Sequence, residues 1–409
     1  MKKLKHYNSN SLSNNIIPLP GSKSESNRAL LVNALCNEPG TIFNLAIARD
    51  TQIMQNLLSS SAPIYNAQDA GTVMRFMTAY LSIMKSNVQI TGTERMKKRP
   101  VAILVDALNK LGAKISYLEN QGYPPMQISG LNEQNNSILE IDSNVSSQYI
   151  SALLMIAPKL PQGLTLKLKG KPVSTPYIDM TVSIMQHFGV HVHVNEQSYE
   201  IKPQSYNYVP FTVESDWSGA SYWYSIFALA DWPELKLSGL KAKSFQGDSV
   251  VAKLMEQFGV KTNYDGNIAV LSRQATSLPD KIDFIKCPDL AQTFAVLCAV
   301  LGHQCVFSGL QTLKIKETDR VLALKTELQK LGADFIEDDN KWTVIPIPSD
   351  KLTSINAVEI NTYEDHRMAM AFAALATRMD VTFDDTEVVN KSYPTFWQDL
   401  ERLGFRLED

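Results

Sequence analysis

The chain has 409 residues, of which 44% are hydrophobic and 20% are charged. This length exceeds the ~100 to 200 residues of one domain, and the composition excludes disordered, collagen-like and coiled-coil proteins. The formal net charge of -3 gives no global reason to bind nucleic acid or an anionic membrane, so any anion-binding site must be local.

The sequence also argues against a membrane or exported protein. Apolar runs such as residues 368–376 are about half the ~18 residues needed to span a bilayer. Residues 1–15 begin with lysines but continue into Asn and Ser rather than into an apolar signal segment. We therefore expect a soluble, cytoplasmic protein without a transit peptide.

Cysteines and histidines do not predict a disulfide framework or a metal site. No CxxC pair is present, so we expect reduced thiols in the core at Cys36, Cys287, Cys298 and Cys305. His187, His191 and His193 are close in sequence, but His187 is typical of a helix end, where an imidazole complements the terminal carbonyls. We expect no metal.

A helix followed by a glycine and a strand recurs along the chain. Five predicted amphipathic helices end at a glycine, namely Gly112, Gly189, Gly259, Gly332 and Gly404. Strand-like alternation follows each glycine, starting at Ala113, Val190, Val260, Ala333 and Phe405. The glycines are roughly 70 to 77 residues apart, which is longer than solenoid repeats of ~20 to 50 residues. With a weaker copy at 53–58, the pattern predicts two α/β or α+β domains of three units each.

Residues 19–28, LPGSKSESNR, form the first candidate anion site. A Pro-Gly turn, three serines and two cations precede an apolar helix predicted at 29–35. Backbone N–H groups at a helix start, serine hydroxyls and the charges of Lys23 and Arg28 suit a phosphate or a carboxylate. The segment is not a Walker loop, because GxxxxGK is absent. An ordinary capped helix with an exposed lysine is the alternative.

Three further segments in the first half repeat small polar or cationic groups near predicted helix starts. Residues 69–75 combine Gly71, which allows close backbone approach, with Arg75 one turn along the helix. Residues 95–100, RMKKRP, place four cations within five positions, and residues 146–148, SSQ, offer donors at a helix start. Helix caps and a solvated loop are the alternatives.

Residues 316–320, KETDR, predict a cationic helical face. Their spacing of i and i+4 places Lys316 and Arg320 on the same side, with Glu317 beside them. Surface ion pairing is the alternative interpretation of this segment.

Two polar segments precede apolar runs in the second half. Residues 365–367, DHR, lead into 368–376, which is apolar on all sides, so this helix should be buried with its polar start facing a cleft. Asp289 precedes the apolar run 294–301 and could be an N-cap. Lys391 is uninformative by itself.

Taken in order, these segments resemble the 5-enolpyruvylshikimate-3-phosphate synthase family, the enolpyruvyl transferases of the shikimate pathway. The matching segments extend from Leu19 to Trp397, nearly the whole chain. The most specific are LPGSKSESNRALL, AGTVMR, RMKKRP, SSQYISALLM, KPVSTPYIDMT, KIKETDR and YEDHRMAMAF.

The resemblance implies a fold and a domain organisation. It predicts a two-domain inverse α/β barrel of the enolpyruvyl transferase type, in which each domain has three βαβαββ repeats around a pseudo-threefold axis. Residues 1–19 and 215–409 would form one discontinuous domain and 20–214 the other, with the active site in the interdomain cleft. Ligand-driven closure of the two domains is the expected gate.

The resemblance also implies the reaction. The enolpyruvyl group of phosphoenolpyruvate moves to the 5-hydroxyl of shikimate 3-phosphate by addition and elimination through a tetrahedral intermediate, with release of phosphate, in aromatic amino acid biosynthesis. It implies no cofactor and no metal, a monomer, and a target of glyphosate. Each substrate carries roughly three negative charges at neutral pH, so the cations of the matching segments would form a positive site.

Site residues follow from the matching motifs. The implied shikimate 3-phosphate contacts are Lys23, Ser24, Arg28, Ser146, Ser147, Gln148, Ser174, Tyr177, Asp289, Thr312 and Lys316. The implied phosphoenolpyruvate contacts are Lys23, Gly71, Arg99, Gln148, Arg320, Arg367 and Lys391.

The implied catalytic groups are a base, an acid and two assisting side chains. Asp289 would take the proton of the 5-hydroxyl, and Glu317 would protonate the methylene carbon. Lys23 would assist the departing phosphate, and His366 would partner Glu317.

Three residues depart from the usual family pattern: Asp69 replaces Asn, Phe76 replaces Pro and Thr312 replaces Asn. Asp69 adds a carboxylate near the expected phosphoenolpyruvate site, which should weaken anion binding unless Arg75 or another cation pairs with it. Thr312 keeps a hydroxyl group but cannot make both hydrogen bonds of an amide. Phe76 alters the helix beside Gly71, so the response to glyphosate cannot be derived from Gly71 alone.

Three other functions remain possible on the sequence. The related transferase acting on UDP-N-acetylglucosamine usually relies on a loop cysteine, and no cysteine lies near residues 95–100. An enzyme acting on nucleic-acid ends is disfavoured by the acidic balance and by the lack of interleaved basic and aromatic residues. A non-catalytic binding paralogue would be expected to have lost some of the matching charged residues.

Overall fold

The computed structural model describes residues 1–7, 15–84, 87–142, 146–170 and 175–408, so Ser174 lies outside the described residues. The strands are, in chain order, Lys2–Leu4 (β1), Ile16–Pro18 (β2), Ile42–Phe43 (β3), Ile64–Asn66 (β4), Val88–Thr91 (β5), Ala113–Tyr117 (β6), Met126–Leu131 (β7), Ile138–Asp142 (β8), Leu164–Lys169 (β9), His193–Asn195 (β10), Ser198–Ile201 (β11), Phe211–Thr212 (β12), Glu234–Ser238 (β13), Val260–Asp265 (β14), Ile268–Arg273 (β15), Lys281–Asp283 (β16), Cys305–Ser308 (β17), Asp334–Asp338 (β18), Lys341–Ile345 (β19), Ala357–Ile360 (β20), Asp380–Phe383 (β21) and Leu407–Glu408 (β22). The α-helices are Lys23–Ala34 (α1), Arg49–Leu58 (α2), Gly71–Ile83 (α3), Ala102–Leu111 (α4), Ser147–Ile156 (α5), Thr175–His187 (α6), Trp217–Leu229 (α7), Val251–Glu256 (α8), Ala291–Val300 (α9), Arg320–Lys330 (α10), Ser349–Ser354 (α11), His366–Phe372 (α12) and Phe396–Arg402 (α13).

The chain divides into two compact units. The terminal unit comprises Met1–Gly21 and Glu214–Asp409, and the inserted unit comprises Ser22–Val213. Each unit has its own buried apolar core. All residues of α9 are buried in the terminal unit, and nearly all of α5 is buried in the inserted unit. Helices that are apolar on all sides therefore form the centre of each unit.

The terminal unit contains three four-stranded sheets among the residues described. Their strand orders are β20-β21-β1-β22, β14-β15-β13-β2 and β16-β17-β19-β18. Strand β1 pairs antiparallel with both β21 and β22. The Nζ atoms of Lys3 and Lys5 lie 2.8 and 2.7 Å from Oδ2 of Asp380 in β21. Both ends of the chain are thus built into one sheet.

The inserted unit contains two four-stranded sheets, β4-β5-β7-β6 and β10-β11-β9-β8, and the parallel pair β12-β3. Across the described residues, each unit therefore has three sheets. This agrees with the prediction that each domain holds three repeats of helix and strand.

The five helix-terminating glycines adopt the predicted backbone conformation. The φ angles of Gly112, Gly189, Gly259, Gly332 and Gly404 are 115°, 84°, 81°, 79° and 101°. A Cβ atom on Gly112 would also lie 2.1 Å from the carbonyl oxygen of Glu133. Only glycine adopts this left-handed region without strain, so the prediction of helix ends at these positions is confirmed.

Three predicted element boundaries were wrong. Helix α1 begins at Lys23 rather than at Ala29, because the Ser22 hydroxyl caps its first turn and accepts from the N–H of Glu25 at 3.5 Å. The strands expected at Val190 and Phe405 begin later, as β10 and β22. Element ends depend on caps and pairing partners that a local pattern does not contain.

Lys316 and Arg320 do not share a helical face, contrary to the prediction. Helix α10 begins at Arg320 and is capped by Asp319, whose side chain accepts from the N–H of Leu322 at 3.0 Å. Lys316 lies in the preceding turn. The capping aspartate starts the helix four residues later than the charge spacing indicated.

The predicted burial of residues 368–376 is confirmed, since every residue of α12 and of the 3-10 turn Ala373–Thr377 that follows it is buried. Among the helices that the structure describes, none combines the length and apolarity required to cross a bilayer. The four cysteines are free and buried. His187 ends α6, and its Nε2 lies 3.2 Å from the carbonyl oxygen of Pro210. The described residues contain no group of three or more His, Cys, Asp or Glu side chains suited to a metal.

Candidate active site

Lys23 is the first residue of α1 and is paired with a buried carboxylate. Its Nζ lies 3.1 Å from Oδ2 of Asp50, which is in the first turn of α2. The Asp50 side chain is almost fully buried, whereas that of Lys23 is 16% exposed. The lysine is therefore held in place at one end of the helix while its ammonium group remains accessible to an anion.

Arg28 lies further along α1 and is buried, and its guanidinium donates to neutral oxygen atoms. Its Nε donates to Oγ1 of Thr181 at 2.7 Å, its Nη2 to Oγ of Ser151 at 3.3 Å, and its Nη1 to the carbonyl oxygen of Ser24 at 2.8 Å. Its guanidinium also lies over the ring of Phe76, at 5.3 Å. Burial lowers the pKa of Arg28 to about 10. This buried cation is well suited to a carboxylate or phosphate ligand.

Phe76 and Tyr177 complete the surroundings of Arg28. Phe76 is fully buried, so this departure from the family pattern forms the apolar floor under the guanidinium. Tyr177, in the first turn of α6, lies close enough to influence the charge of Arg28. The structure therefore brings Ser24, Arg28 and Tyr177 together.

Two guanidinium groups lie directly against Gly71. A Cβ atom on this residue would be 2.7 Å from Nη1 of Arg99 and 2.8 Å from Nη1 of Arg75. Arg75 donates to the carbonyl oxygens of Gly71 and Pro100, at 3.0 and 3.2 Å, and Tyr149 donates to the same Pro100 oxygen at 2.6 Å. Arg75 therefore ties the start of α3 to the basic segment that carries Arg99.

Gln148 joins this second cluster from α5. Its Nε2 donates to Oγ1 of Thr72 at 3.1 Å, next to Gly71. Ser146 caps α5 by accepting from the N–H of Gln148 at 3.4 Å, and Ser147 is buried in its first turn. The cap fixes the direction in which α5 presents these polar groups.

Asp69 is paired with a cation. Nη2 of Arg49 lies 2.8 and 2.7 Å from Oδ1 and Oδ2 of Asp69. The Arg49 side chain is 47% exposed, so the pair contributes only about 0 to 1 kcal/mol to stability. Arg49 offsets the extra carboxylate, a role that the sequence did not assign to a particular residue.

In the terminal unit, Arg320 is buried among three carboxylates. Its Nε lies 2.6 Å from Oδ2 of Asp365, its Nη1 3.0 Å from Oδ1 of Asp289, and its Nη2 2.7 Å from Oε2 of Glu317. Burial opposes the charge of Arg320, but Asp365, Glu317 and Asp289 raise its pKa above the usual value. Arg320 therefore stays charged and fixes the relative positions of the proposed acid and base.

Asp289 lies in the short 3-10 turn Pro288–Leu290 and is surrounded by cations. Besides Arg320, Nη2 of Arg367 lies 2.9 Å from its Oδ2, and Nζ of Lys316 lies 3.6 Å from its Oδ1. Burial favours the neutral acid, but Arg367, Lys316 and Arg320 hold the pKa of Asp289 well below its usual range. The carboxyl is ionised and can accept a proton only when these charges are offset.

Arg367 is the second residue of α12, whose N-cap is Asp365. Asp365 accepts from its backbone N–H at 2.9 Å, and its Nη1 lies 3.3 Å from the hydroxyl of Tyr222. His366 is buried beside it, with Nδ1 3.7 Å from Oδ1 of Asp365. Lys391 ends the 3-10 turn Glu387–Lys391 and is 5% exposed.

Thr312 lies in the 3-10 turn Gln311–Ile315 that precedes Lys316. Its Oγ1 is buried and has no hydrogen-bond partner within the described residues. A buried hydroxyl group without a partner is costly, which makes this one a candidate contact for a polar group of a ligand.

Sequence reasoning missed the residues that hold the charged groups in place. Asp50 pairs with Lys23, Thr181 and Ser151 bind Arg28, and Asp365 binds Arg320. Ser151, Thr181 and Asp365 lie inside matching motifs, but their motifs did not show which side chain each one holds. Asp50 lies outside these motifs, and nothing in the sequence distinguishes it from a solvated side chain at a helix start.

Solved structures identify the fold. An EPSP synthase from Acinetobacter baumannii covers 100% of this chain and 100% of its own with a TM-score of 0.78 and 20% identity. The enolpyruvyl transferase NikO from Streptomyces tendae covers 100% of this chain and 98% of its own with a TM-score of 0.75 and 15% identity. The fold is that of the enolpyruvyl transferases.

Sequence comparisons identify the family. The profile of EPSP synthase (3-phosphoshikimate 1-carboxyvinyltransferase) matches residues 57–400. A 3-phosphoshikimate 1-carboxyvinyltransferase from Bacteroides fragilis is 46% identical over 396 residues, 96% of each chain. One from Mannheimia haemolytica is 34% identical over 424 residues, 95% of this chain and 96% of its own. The chain belongs to the EPSP synthase family of transferases.

Proposed function

We propose that this chain transfers the enolpyruvyl group of phosphoenolpyruvate to the 5-hydroxyl of shikimate 3-phosphate and releases phosphate. Membership of the EPSP synthase family supports this reaction. The observation that carries it is the position of Asp289, which contacts Lys316, Arg320 and Arg367. A carboxylate inside a cationic cluster can serve as a base for an anionic substrate that the same cations bind.

Shikimate 3-phosphate would bind through two groups of residues. The buried guanidinium of Arg28, with Ser24 and Tyr177 beside it, is suited to one anionic group of this substrate. The remaining proposed contacts are Lys23, Ser146, Ser147, Gln148, Ser174, Asp289, Thr312 and Lys316. The unpartnered Thr312 hydroxyl would donate to or accept from a substrate oxygen.

Phosphoenolpyruvate would bind to the guanidinium group beside Gly71 and to the cations around Asp289. The proposed contacts are Lys23, Gly71, Arg99, Gln148, Arg320, Arg367 and Lys391. Because a hydrogen at Cα is all that Gly71 presents, Arg99 can lie against the helix start and share an anion with its backbone N–H groups. Glyphosate is expected to compete with phosphoenolpyruvate for these residues.

In the addition step, the 5-hydroxyl oxygen attacks C2 of phosphoenolpyruvate. Asp289 accepts the hydroxyl proton, and Glu317 donates a proton to the methylene carbon, which becomes a methyl group in the tetrahedral adduct. The substrate anions on Lys316 and Arg367 offset the charges that hold the pKa of Asp289 low. Asp289 therefore becomes a stronger base when the substrates are bound.

In elimination the acid and the base exchange roles, and Asp289 gives its proton to the departing phosphate. Glu317 removes a proton from the methyl group, the double bond forms again, and the bond from C2 to the phosphate oxygen breaks. Lys23 stabilises the departing phosphate, and His366 assists Glu317. The protein would act in the cytoplasm. It would be a monomer, and light scattering of the purified chain would test this oligomeric state.

The decisive experiment is incubation of the purified protein with both substrates without added metal. Phosphate release and the mass of the organic product are measured together. We expect release only when both substrates are present, and a loss of at least about 100-fold in Asp289→Ala. Asp338→Ala, which removes an exposed carboxylate of β18, is the matched control and should retain activity. Tight binding of shikimate 3-phosphate without release would instead indicate a binding paralogue.

A further inference from the structure

A second buried carboxyl group, Asp248, lies close to Arg367 in the terminal unit. It belongs to the 3-10 turn Gly247–Val250 and is 4% exposed. Its Oδ2 accepts a hydrogen bond from the hydroxyl of Ser218. Its Oδ1 is buried and has no hydrogen-bond partner among the described residues. No step of the proposed reaction uses this group.

Ser218 connects Asp248 to Arg367. It lies in the first turn of α7, and its hydroxyl oxygen is 3.5 Å from Nη2 of Arg367. Because the hydroxyl hydrogen points to Asp248, a lone pair of the same oxygen is available to accept from Arg367. Nη2 of Arg367 also donates to Oδ2 of Asp289, at 2.9 Å. Two carboxyl groups therefore hold Arg367, Asp289 directly and Asp248 through the serine.

Several titratable and charged groups lie near Asp248. The titratable and charged groups that act on it are Asp289, Arg367, Asp216 and Cys287. Burial and then the charge of Asp289 raise the pKa of Asp248 to about 7, against the opposing effect of Arg367. Near neutral pH, a small change in the local charge is enough to change the protonation of this carboxyl group.

We propose that Asp248 is a positioning residue that orients Arg367 through Ser218 and takes up a proton when Arg367 binds phosphoenolpyruvate. The inference rests on the proposed function, since it takes Arg367 as a ligand of that substrate. A bound anion adds negative charge near Asp248 and offsets the cation that favours its ionised form. The proton comes from the solvent, and no covalent bond of the protein changes.

Proton uptake gives the effect a definite sign. Once the effect of titration of the ligand itself is accounted for, the affinity of the protein for phosphoenolpyruvate should fall as pH rises through about 7. If binding raises the pKa of Asp248 by about one unit, this contribution reaches about tenfold. Asp248→Asn has the same shape, cannot ionise, and still offers an amide oxygen to Ser218.

The experiment measures kcat and the KM for phosphoenolpyruvate from pH 6 to 8.5, at saturating shikimate 3-phosphate. The proteins are the wild type, Asp248→Asn, Asp248→Ala and the control Asp338→Asn. Isothermal titration in two buffers of different ionisation enthalpy gives the number of protons taken up on binding. Because all proteins bind the same ligand, titration of the ligand cancels in the comparison.

In the wild type, we expect the KM for phosphoenolpyruvate to rise with pH. In Asp248→Asn this rise should be smaller by about 3- to 10-fold, and fewer protons should be taken up on binding. Asp248→Ala should raise KM at every pH, because the Ser218 hydroxyl loses its acceptor. The control should behave like the wild type. Wild-type pH dependence and proton uptake in Asp248→Asn would overturn the proposal. Failure of the wild type itself to release phosphate would refute the proposed function instead.

Discussion

Substitution of Gly71 by alanine tests the most closely packed part of the proposed phosphoenolpyruvate site. The new Cβ would lie 2.7 and 2.8 Å from the two terminal nitrogens of Arg99, and 2.8 Å from Nη1 of Arg75. These atoms are the ends of flexible side chains, so the backbone of α3 can keep its position. The guanidinium groups must move instead.

The size of the effect follows from the displacement. Ordinary contact begins at 3.4 Å, so the nearest nitrogen of Arg99 must shift by 3.4 − 2.7 = 0.7 Å. A misplacement of about 1 Å at a reacting group can cost about 100-fold in rate. We therefore expect the KM for phosphoenolpyruvate to rise about 10- to 100-fold, or about 1.4 to 2.7 kcal/mol. The affinity for shikimate 3-phosphate should change little, because its proposed anchor Arg28 is in a different cluster.

Steady-state kinetics with each substrate varied separately would measure this effect. Arg99→Lys, alone and combined with Gly71→Ala, completes a double-mutant cycle. If alanine acts by displacing Arg99, the two losses should be strongly non-additive. Additive losses, or a change below about twofold in the KM of the single variant, would refute the reasoning.

Three further predictions concern charged groups. Arg28→Met should raise the melting temperature, because burial of the guanidinium costs on the order of 3 kcal/mol. The same substitution should weaken the binding of shikimate 3-phosphate, measured by calorimetry, by about 100-fold or more. Normal binding would contradict the assignment of Arg28 as a substrate contact. The folded pKa of Asp248, about 7, lies above its ordinary value of 3.8, so wild-type stability should fall as pH rises through this window. Urea unfolding at pH 5 and 8 should therefore show that Asp248→Asn gains stability relative to the wild type between these two pH values, by at most roughly 3 kcal/mol. Equal behaviour of the two proteins would count against this expectation. Arg49→Ala should lower the free energy of unfolding by less than about 1 kcal/mol and raise the KM for phosphoenolpyruvate about 2- to 5-fold. Adding Asp69→Asn to the same chain should restore the wild-type KM. A KM that stays high in the double variant would exclude the electrostatic explanation.

The features predictable from sequence were those set by a few neighbouring residues. The helix ends at Gly112 and the four equivalent glycines were predictable, because a single residue with positive φ is sufficient to end a helix. The burial of residues 368–376 follows from their apolar composition on every side. The family was recognisable because its motifs occur in colinear order over most of the chain.

Predictions were wrong where a longer-range contact or a cap decides the outcome. The charge spacing of Lys316 and Arg320 suggested one helical face, but the cap at Asp319 starts α10 after Lys316. The cation that offsets Asp69 could have been any of several, and the structure selects Arg49. Competing partners of equal chemical suitability cannot be ranked without their distances.

The sequence by itself determined the five helix ends at glycine, the buried apolar run 368–376 and the family of this chain, because each depends on residue types in local order. Tertiary structure alone decided which groups hold the charges. Thr181 contacts Arg28 across 153 residues of sequence, and Asp289 contacts Arg367 across 78. Electrostatic energy and pKa depend on separation in space and on burial, and neither can be read from separation along the chain.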